Sequence, residues 1–176
     1  YKQDVLEEGD TLVEGSEYVF ITMQPQVAFT IMDQGTGEVK AIVGGRGEKA
    51  GNRTWNRATN TTRQPGSTFK IIACYAPALD AGGKTLASVV DDAPYTVGTK
   101  KFNNYDGVYR GYTTVREAIT RSMNIVTVKN LQEIGVDLGY EYTKAFGFTT
   151  IADTDRHLAL ALGGLTNGVS NLELTA

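Results

Sequence analysis

The sequence predicts an α/β fold of the mixed, α+β kind, in which an antiparallel sheet is packed with helices. Three observations carry this expectation. Two β-rich runs, Val27 to Met32 and Glu38 to Val43, are separated by Asp33-Gln34-Gly35-Thr36-Gly37, the punctuation of a hairpin. Apolar residues then recur at helical spacing over about 115–121, 124–134 and 137–146, with Gly135 and Gly147 as stops. Between these regions, a turn signal at Pro65-Gly66 gives way to a further helical pattern beginning at about Ser67.

Taken in order, residues 1–20 mix acids and glycines with few apolar side chains, and read as a linker or peripheral strand leaving an upstream domain; residues 21–176 read as one folded unit. The two β runs should be antiparallel neighbours. Residues 44–64 are rich in Gly, Asn, Thr and Arg and form an irregular approach to the Ser67 helix. Trp55 lies within that approach, as a packing anchor in preference to a cleft wall, because aromatic side chains bury large areas. The glycines of Gly44-Gly45-Arg46-Gly47 lack the Lys-Ser/Thr ending that grips phosphate, which argues against a phosphate loop. The Ser67 helix should end near Asp80-Ala81-Gly82-Gly83. A loop with short strands follows from Thr85 to Tyr112. Its tyrosines Tyr95, Tyr105, Tyr109 and Tyr112 have no periodic spacing, and both a carbohydrate or peptide groove and ordinary loop packing stay open for them. Thr114 with Glu117, and Ser170 with Glu173, have capping-box spacing and mark helix starts.

Composition narrows the functional classes. With 41% apolar and 21% charged residues the chain can build a core, so disorder is not expected. A net charge of −3 without a Lys/Arg cluster argues against nucleic acid as a partner. No apolar run is long enough for a membrane span, and no signal-peptide pattern is present. The single cysteine, Cys74, sits in the apolar run Ile71-Ile72-Ala73-Cys74-Tyr75 and is expected to pack in the core. With one histidine, His157, a Ser-His triad at Ser67 is disfavoured. No Cys/His/Asp/Glu cluster has metal-ligand spacing, and neither a metal nor a cofactor is expected.

The candidate chemistry is in Pro65-Gly66-Ser67-Thr68-Phe69-Lys70. Residues three apart share a helix face, so the Lys70 amine can lie one turn above the Ser67 hydroxyl, within hydrogen-bond reach. A serine hydroxyl is a poor nucleophile until such a base takes its proton. The bland alternative is a capping serine beside a solvated lysine. A second element, Ser122-Met123-Asn124, falls between two helical patterns, where a hydroxyl and an amide can face one cleft. Here the alternative is that Ser122 and Asn124 merely cap the second helix.

Ser67-x-x-Lys70 followed by Ser122-x-Asn124 resembles the penicillin-binding serine enzymes. Gln26 to Gly45, Asn56-Arg57-Ala58-Thr59, Arg63 to Lys70, Asn104-Tyr105-Asp106-Gly107 and Ala161 to Ala176 look like the transpeptidase domain of bifunctional, class A penicillin-binding proteins. The resemblance covers about residues 20–176. It implies the penicillin-binding transpeptidase or β-lactamase-like fold, with the hairpin in a central sheet against which the Ser67 helix packs. It also implies a peptidoglycan cross-linking D,D-transpeptidase working through an acyl-serine, with stem peptides and β-lactam antibiotics as partners. Ser67 is then the nucleophile, Lys70 its base, Ser122 a proton relay and Asn124 a substrate-binding amide. A desolvated Lys70 is expected, since an ordinary lysine stays protonated at neutral pH.

One part of the family pattern is missing. The family's Lys-Thr/Ser-Gly strand is not in these residues: Lys84-Thr85 is followed by Leu86, in a turn-rich stretch. The resemblance therefore implies an N-terminal portion of the domain, with that C-terminal strand and its oxyanion-hole N–H removed or carried on a second chain. It implies, too, an ectodomain piece of a membrane-anchored protein at the extracytoplasmic face of a bacterial membrane. Three alternatives share some of these features: a serine β-lactamase or β-lactam sensor, a class B relative, and a non-catalytic cell-wall binding module.

Overall fold

The computed structural model describes residues 25–49 and 51–176, together with Thr11, Glu14 and Gly15. The linker expected over residues 1–20 otherwise lies outside the described residues. Strands β1 (Phe29–Met32) and β2 (Val39–Val43) form the expected antiparallel hairpin, with Phe29 opposite Val43 and Ile31 opposite Ala41. Asp33 builds the turn: its Oδ1 accepts from the N–H of Gly35 (2.9 Å) and of Thr36 (3.1 Å). Gly37, at φ +73°, supplies the left-handed step that brings the chain back.

The order continues with α1 (Arg57–Asn60), β3 (Thr62–Arg63), an irregular helix over residues 66–80, and β4 (Val89–Asp92), β5 (Tyr95–Val97), β6 (Lys100–Phe102) and β7 (Gly111–Thr114). Then come α3 (Val115–Thr120), α4 (Asn124–Ile134), α5 (Val136–Ala145), two 3-10 turns (Asp153–Asp155 and Leu158–Leu162), β8 (Val169–Ser170) and α6 (Asn171–Thr175). Among the described residues all pairings are antiparallel: β1 with β2, β3 with β8, β4 with β7 and β5 with β6. The three predicted helices fall within a residue of their expected bounds. Both capping signals are real: Thr114 Oγ1 accepts from Glu117 N, and Ser170 and Glu173 make the full reciprocal box.

The hairpin packs mainly against α6 and α1, tied by a 2.7 Å bond from Thr30 Oγ1 to Asn171 Oδ1, whereas the Ser67 helix lies against α4, α5 and the turn Leu158–Leu162. Its strands keep apolar residues exposed on both faces, including Phe29, Ile31, Val39, Ile42 and Val43. The core lies elsewhere, around α4. Ile125, Val126, Val128 and Leu131 of this helix are fully buried: Val126 and Leu131 join the cluster of Phe69, Tyr75, Val115 and Leu160, and Ile125 and Val128 pack with Phe102 in a second one. A helix buried on nearly every side is the hub of its layer, not an amphipathic cover. Phe69 and Phe148 close the core edge-to-face, with ring centroids 5.1 Å apart.

The segment expected as one regular helix from Ser67 has three geometries. Gly66–Thr68 is a 3-10 turn, Ile71–Tyr75 is a π-helical turn, and only Ala76–Asp80 (α2) is ordinary α-helix beyond it. Pro77 gives the physical reason. It has no N–H for the carbonyl of Ala73, and its ring crowds that carbonyl, so the preceding turn opens and Ala76 N donates instead to Ile71 O. Helix α5 makes room for this with Gly139, where an added Cβ would lie 2.4 Å from Ala73 O.

Candidate active site

Lys70 is 2% exposed although it carries an ammonium group, and its burial has a local cause in Phe69, Cys74 and the packed core around it. Such a group must find partners. Its Nζ donates to the Ser122 carbonyl (2.5 Å), Ser122 Oγ (3.0 Å) and Asn124 Oδ1 (2.6 Å). An ammonium has three donors, and all three are thus used across the cleft. Burial lowers the lysine pKa from 10.5 to about 8, with the neighbouring Cys74 acting weakly the other way.

The expected bond between Lys70 and Ser67 is not formed among the described residues. The two stand one turn apart as predicted, but the tight 3-10 turn leaves Ser67 exposed while the lysine stem runs inward to Ser122 and Asn124. The structure therefore brings Lys70, Ser122 and Asn124 into one hydrogen-bonded cluster, while the exposed Ser67 hydroxyl makes no hydrogen bond among the described residues. Neither Ser122 nor Asn124 side chain caps α4, whose N-cap is Met123. Their polar groups serve the lysine instead.

The break that carries Ser122 has a specific backbone form. Helix α3 ends with Met123 N donating to Ala118 O (2.9 Å) and Ser122 N to Ile119 O (3.1 Å), the paired bonds of a Schellman ending. That motif needs a left-handed residue, nearly always glycine, and here Ser122 takes the position at φ +51°. A non-glycine residue held so costs about 1 kcal/mol or more. In return, both its carbonyl and its hydroxyl reach Lys70. Behind the break, the Tyr75 hydroxyl donates to Thr127 Oγ1 (2.8 Å), which donates to Met123 O (2.6 Å). Burial raises the Tyr75 pKa well above its ordinary value, so this chain stays neutral.

Cys74 packs as expected, buried, with its Sγ 3.2 Å from Thr127 O and its pKa pushed up to about 12 by burial. Trp55 does not. It is 62% exposed, donates from Nε1 to Thr61 Oγ1 (2.9 Å) and lines an open groove of about 500 Å³ with Gln26, Asn56 and Arg57. The backbone at 51–56, turn and coil, leaves it no core to enter. The four tyrosines separate: Tyr95 lies against Phe102 and under Lys129 Nζ, while Tyr105, Tyr109 and Tyr112 are exposed.

Several residues that support the site were not legible as such in the sequence. Gln64 clamps the approach to Ser67 onto the segment Leu165, donating to its carbonyl (2.5 Å) and accepting from its N–H (2.8 Å). Gly163 sits so close to the Ser67 turn that an added Cβ would lie 2.3 Å from Gly66 O. Asn104 reaches from the β6–β7 loop to the start of α4, accepting from Asn124 N (2.9 Å) and Ile125 N (3.2 Å). The glycine pair Gly163-Gly164 was the available signal for a close backbone approach; for Gln64 and Asn104, with partners 101 and 20 residues away, local spacing offered none.

An exposed serine one turn before a buried, amide-bound lysine pairs the residue types that a serine nucleophile and its base require. The family model for the penicillin binding protein transpeptidase domain matches residues 27–173. The chain is 36% identical to penicillin-binding protein 1A of Clostridium tetani, over 97% of this chain and 23% of that protein. It is 41% identical to penicillin-binding protein 1F of Bacillus subtilis, over 92% of this chain and 22% of that protein. Among solved structures, penicillin-binding protein 1A from Haemophilus influenzae superposes with a TM-score of 0.73 at 29% identity, covering 85% of this chain and 22% of that one. PonA1 from Mycobacterium tuberculosis in complex with penicillin V shares the fold, with a TM-score of 0.69 at 22% identity over 83% of this chain and 40% of that one. The chain belongs to the penicillin-binding protein transpeptidase family, and is similar to the class A members over less than a quarter of the length of these two relatives.

Proposed function

We propose that this chain carries the acylating residues of a peptidoglycan D,D-transpeptidase, within residues 21–176 as the N-terminal portion of that domain. The observation that carries the reading is the Lys70 cluster: a base made available by burial, fixed by Ser122 and Asn124, one turn after an exposed serine. In the reaction, neutral Lys70 takes the Ser67 proton as Oγ attacks the penultimate D-alanine carbonyl of a stem peptide. The tetrahedral oxyanion is held by the Ser67 N–H and by a second N–H from a Lys-Thr/Ser-Gly strand outside these 176 residues, in the rest of the full-length protein or on another chain.

As the C–N bond breaks, the proton on Lys70 passes through Ser122 Oγ, 3.0 Å away, to the departing D-alanine nitrogen. Asn124 keeps the lysine head group and the peptide in register. An amine from a neighbouring stem peptide then displaces Ser67, forming the cross-link and returning the serine proton. A β-lactam presents the same amide and acylates the same oxygen. Among the described residues no helix is long and apolar enough to cross a membrane; we place the domain at the extracytoplasmic face, held there by the remainder of a longer protein.

The test is intact-mass spectrometry of the full-length protein with a labelled penicillin, a peptide map and a Ser67→Ala control. A persistent drug-sized increment on Ser67, absent from the control, is expected. Rapid loss of the increment would make the protein a β-lactam hydrolase, and no increment would sink the acyl-serine reading.

A further inference from the structure

Helix α4 begins at the active-site break without a cap of its own. Its N-cap residue is Met123, whose side chain has no acceptor, yet its first N–H groups face the interior beside Lys70. Asn104 supplies the missing acceptor from a loop 20 residues earlier, its Oδ1 bonding Asn124 N (2.9 Å) and Ile125 N (3.2 Å). The other end of the same amide is fully used. Asn104 Nδ2 donates to both carboxylate oxygens of Asp92 (2.8 and 2.9 Å) and to Val108 O (2.9 Å). Asp92 is 0% exposed and also accepts from Arg110 N (2.9 Å).

A buried carboxylate with no direct ion pair among the described residues, acted on by the Arg110 guanidinium only through space, is a costly group to keep for packing alone. Here its orientation has one consequence. By accepting from Nδ2 it fixes which way the Asn104 amide faces, leaving Oδ1 toward α4. Asn124 is held again by its own Nδ2, which donates to Asn103 O (2.9 Å), so backbone and side chain of Asn124 are both tied to residues 103–104. The remaining atom of that side chain, Oδ1, meets Lys70 at 2.6 Å.

We infer that Asp92 and Asn104 are positioning residues for the Lys70 site: a buried carboxylate–amide pair, reaching in from the β4–β7 ladder and its loop, that sets the Asn124 amide against the lysine amine. The inference rests on the acyl-serine reading above. Neither residue touches the reacting atoms. They act through Asn124, so their loss changes how Lys70 is held and how readily it gives up its proton. Lys70 is faced by Cys74 on its own helix, by the neutral Ser122 and Asn124 at the α3–α4 break, and beyond Asn124 by Asn104 and the Asp92 carboxylate.

The pair can be exchanged. In the Asp92→Asn/Asn104→Asp double variant, a carboxylate at 104 still caps α4 and accepts from an amide at 92, although the Val108 carbonyl loses its donor, and the negative charge moves one hydrogen bond closer to Lys70. The experiment measures the acylation rate of the full-length protein by a fluorescent penicillin across neutral to alkaline pH, with melting temperatures, for wild type, each single variant and the exchange. Asn104→Asp alone sets two carboxylates face to face, and acylation should slow roughly 10- to 100-fold through displacement of the site. The exchange should recover part of that rate, since only the Val108 contact is lost, with the rising limb of the pH profile displaced upward by about half a pH unit, because a nearer anion favours the ammonium.

Folded single variants with wild-type rates and limbs would overturn the inference, as would a folded exchange variant as slow as Asn104→Asp alone. Should Asn104→Asp fail to fold, the exchange alone decides: an upward limb supports the inference and a wild-type limb overturns it. A wild type that is never labelled on Ser67 would overturn the functional reading itself, a different result from labelled variants that all behave alike.

Discussion

The pH dependence of acylation is the sharpest test of the lysine as base. Burial places the Lys70 pKa at about 8 in place of 10.5. At pH 7 the neutral fraction is then about a tenth, roughly 300-fold more than an ordinary lysine would offer. The rate of Ser67 acylation should therefore climb tenfold per pH unit through neutrality and level off above about 8. Lys70→Arg keeps the charge and the donors but cannot lose a proton, and should lower the rate about 100- to 10,000-fold at pH 7 with the limb abolished. Stopped-flow acylation of the full-length protein by a chromogenic β-lactam measures both. A limb centred near 10, or an arginine variant within about tenfold of wild type, would refute the reasoning. Stability has its own pH sign. Because the folded pKa is the lower one, the unfolded chain holds more protons between about 8 and 10.5, so stability rises with pH across that window and the penalty of burying Lys70 is fully present below it.

Other perturbations separate structure from chemistry. Ser122→Gly relieves the left-handed position at φ +51° but leaves one Lys70 proton without its oxygen, so thermal melts should show no net gain in stability, while loss of the Oγ relay slows acylation; a folded variant that keeps the wild-type rate would remove Ser122 from the mechanism. Gly163→Ala drives a Cβ to 2.3 Å from Gly66 O at φ +71°, and should cost about 2 kcal/mol or more with slower acylation, since the displaced backbone is the turn that holds Ser67. Asn130, 0% exposed, has no hydrogen-bond partner for its amide among the described residues, so Asn130→Leu should raise stability by about 1–3 kcal/mol; a fall in melting temperature would show that its amide is satisfied after all.

Much of the fold was legible because its signals are local. The hairpin turn, the helices around α4 and the glycine stops depend on spacing and on residues that set their own backbone angles, and these survive in the structure nearly residue for residue. Pro77 was equally legible in principle. Its lost N–H opens the turn after Lys70, an effect that a search for helical periodicity passes over.

For the site, the sequence alone singled out the candidate residues, Ser67, Lys70, Ser122 and Asn124, by type and spacing. Only the tertiary structure decided how they meet. Lys70 turns to Ser122 and Asn124, 52 and 54 residues away, and not to the serine three positions before it. Helical spacing brings two residues to one face but does not choose between their partners; that choice belongs to burial, which requires every proton of a desolvated ammonium to find an oxygen. The nearest oxygens are at a break whose shape depends on Ser122 in a glycine's position and on Asn104 capping from another loop. Both are long-range backbone matters, set by packing, and no local pattern encodes them.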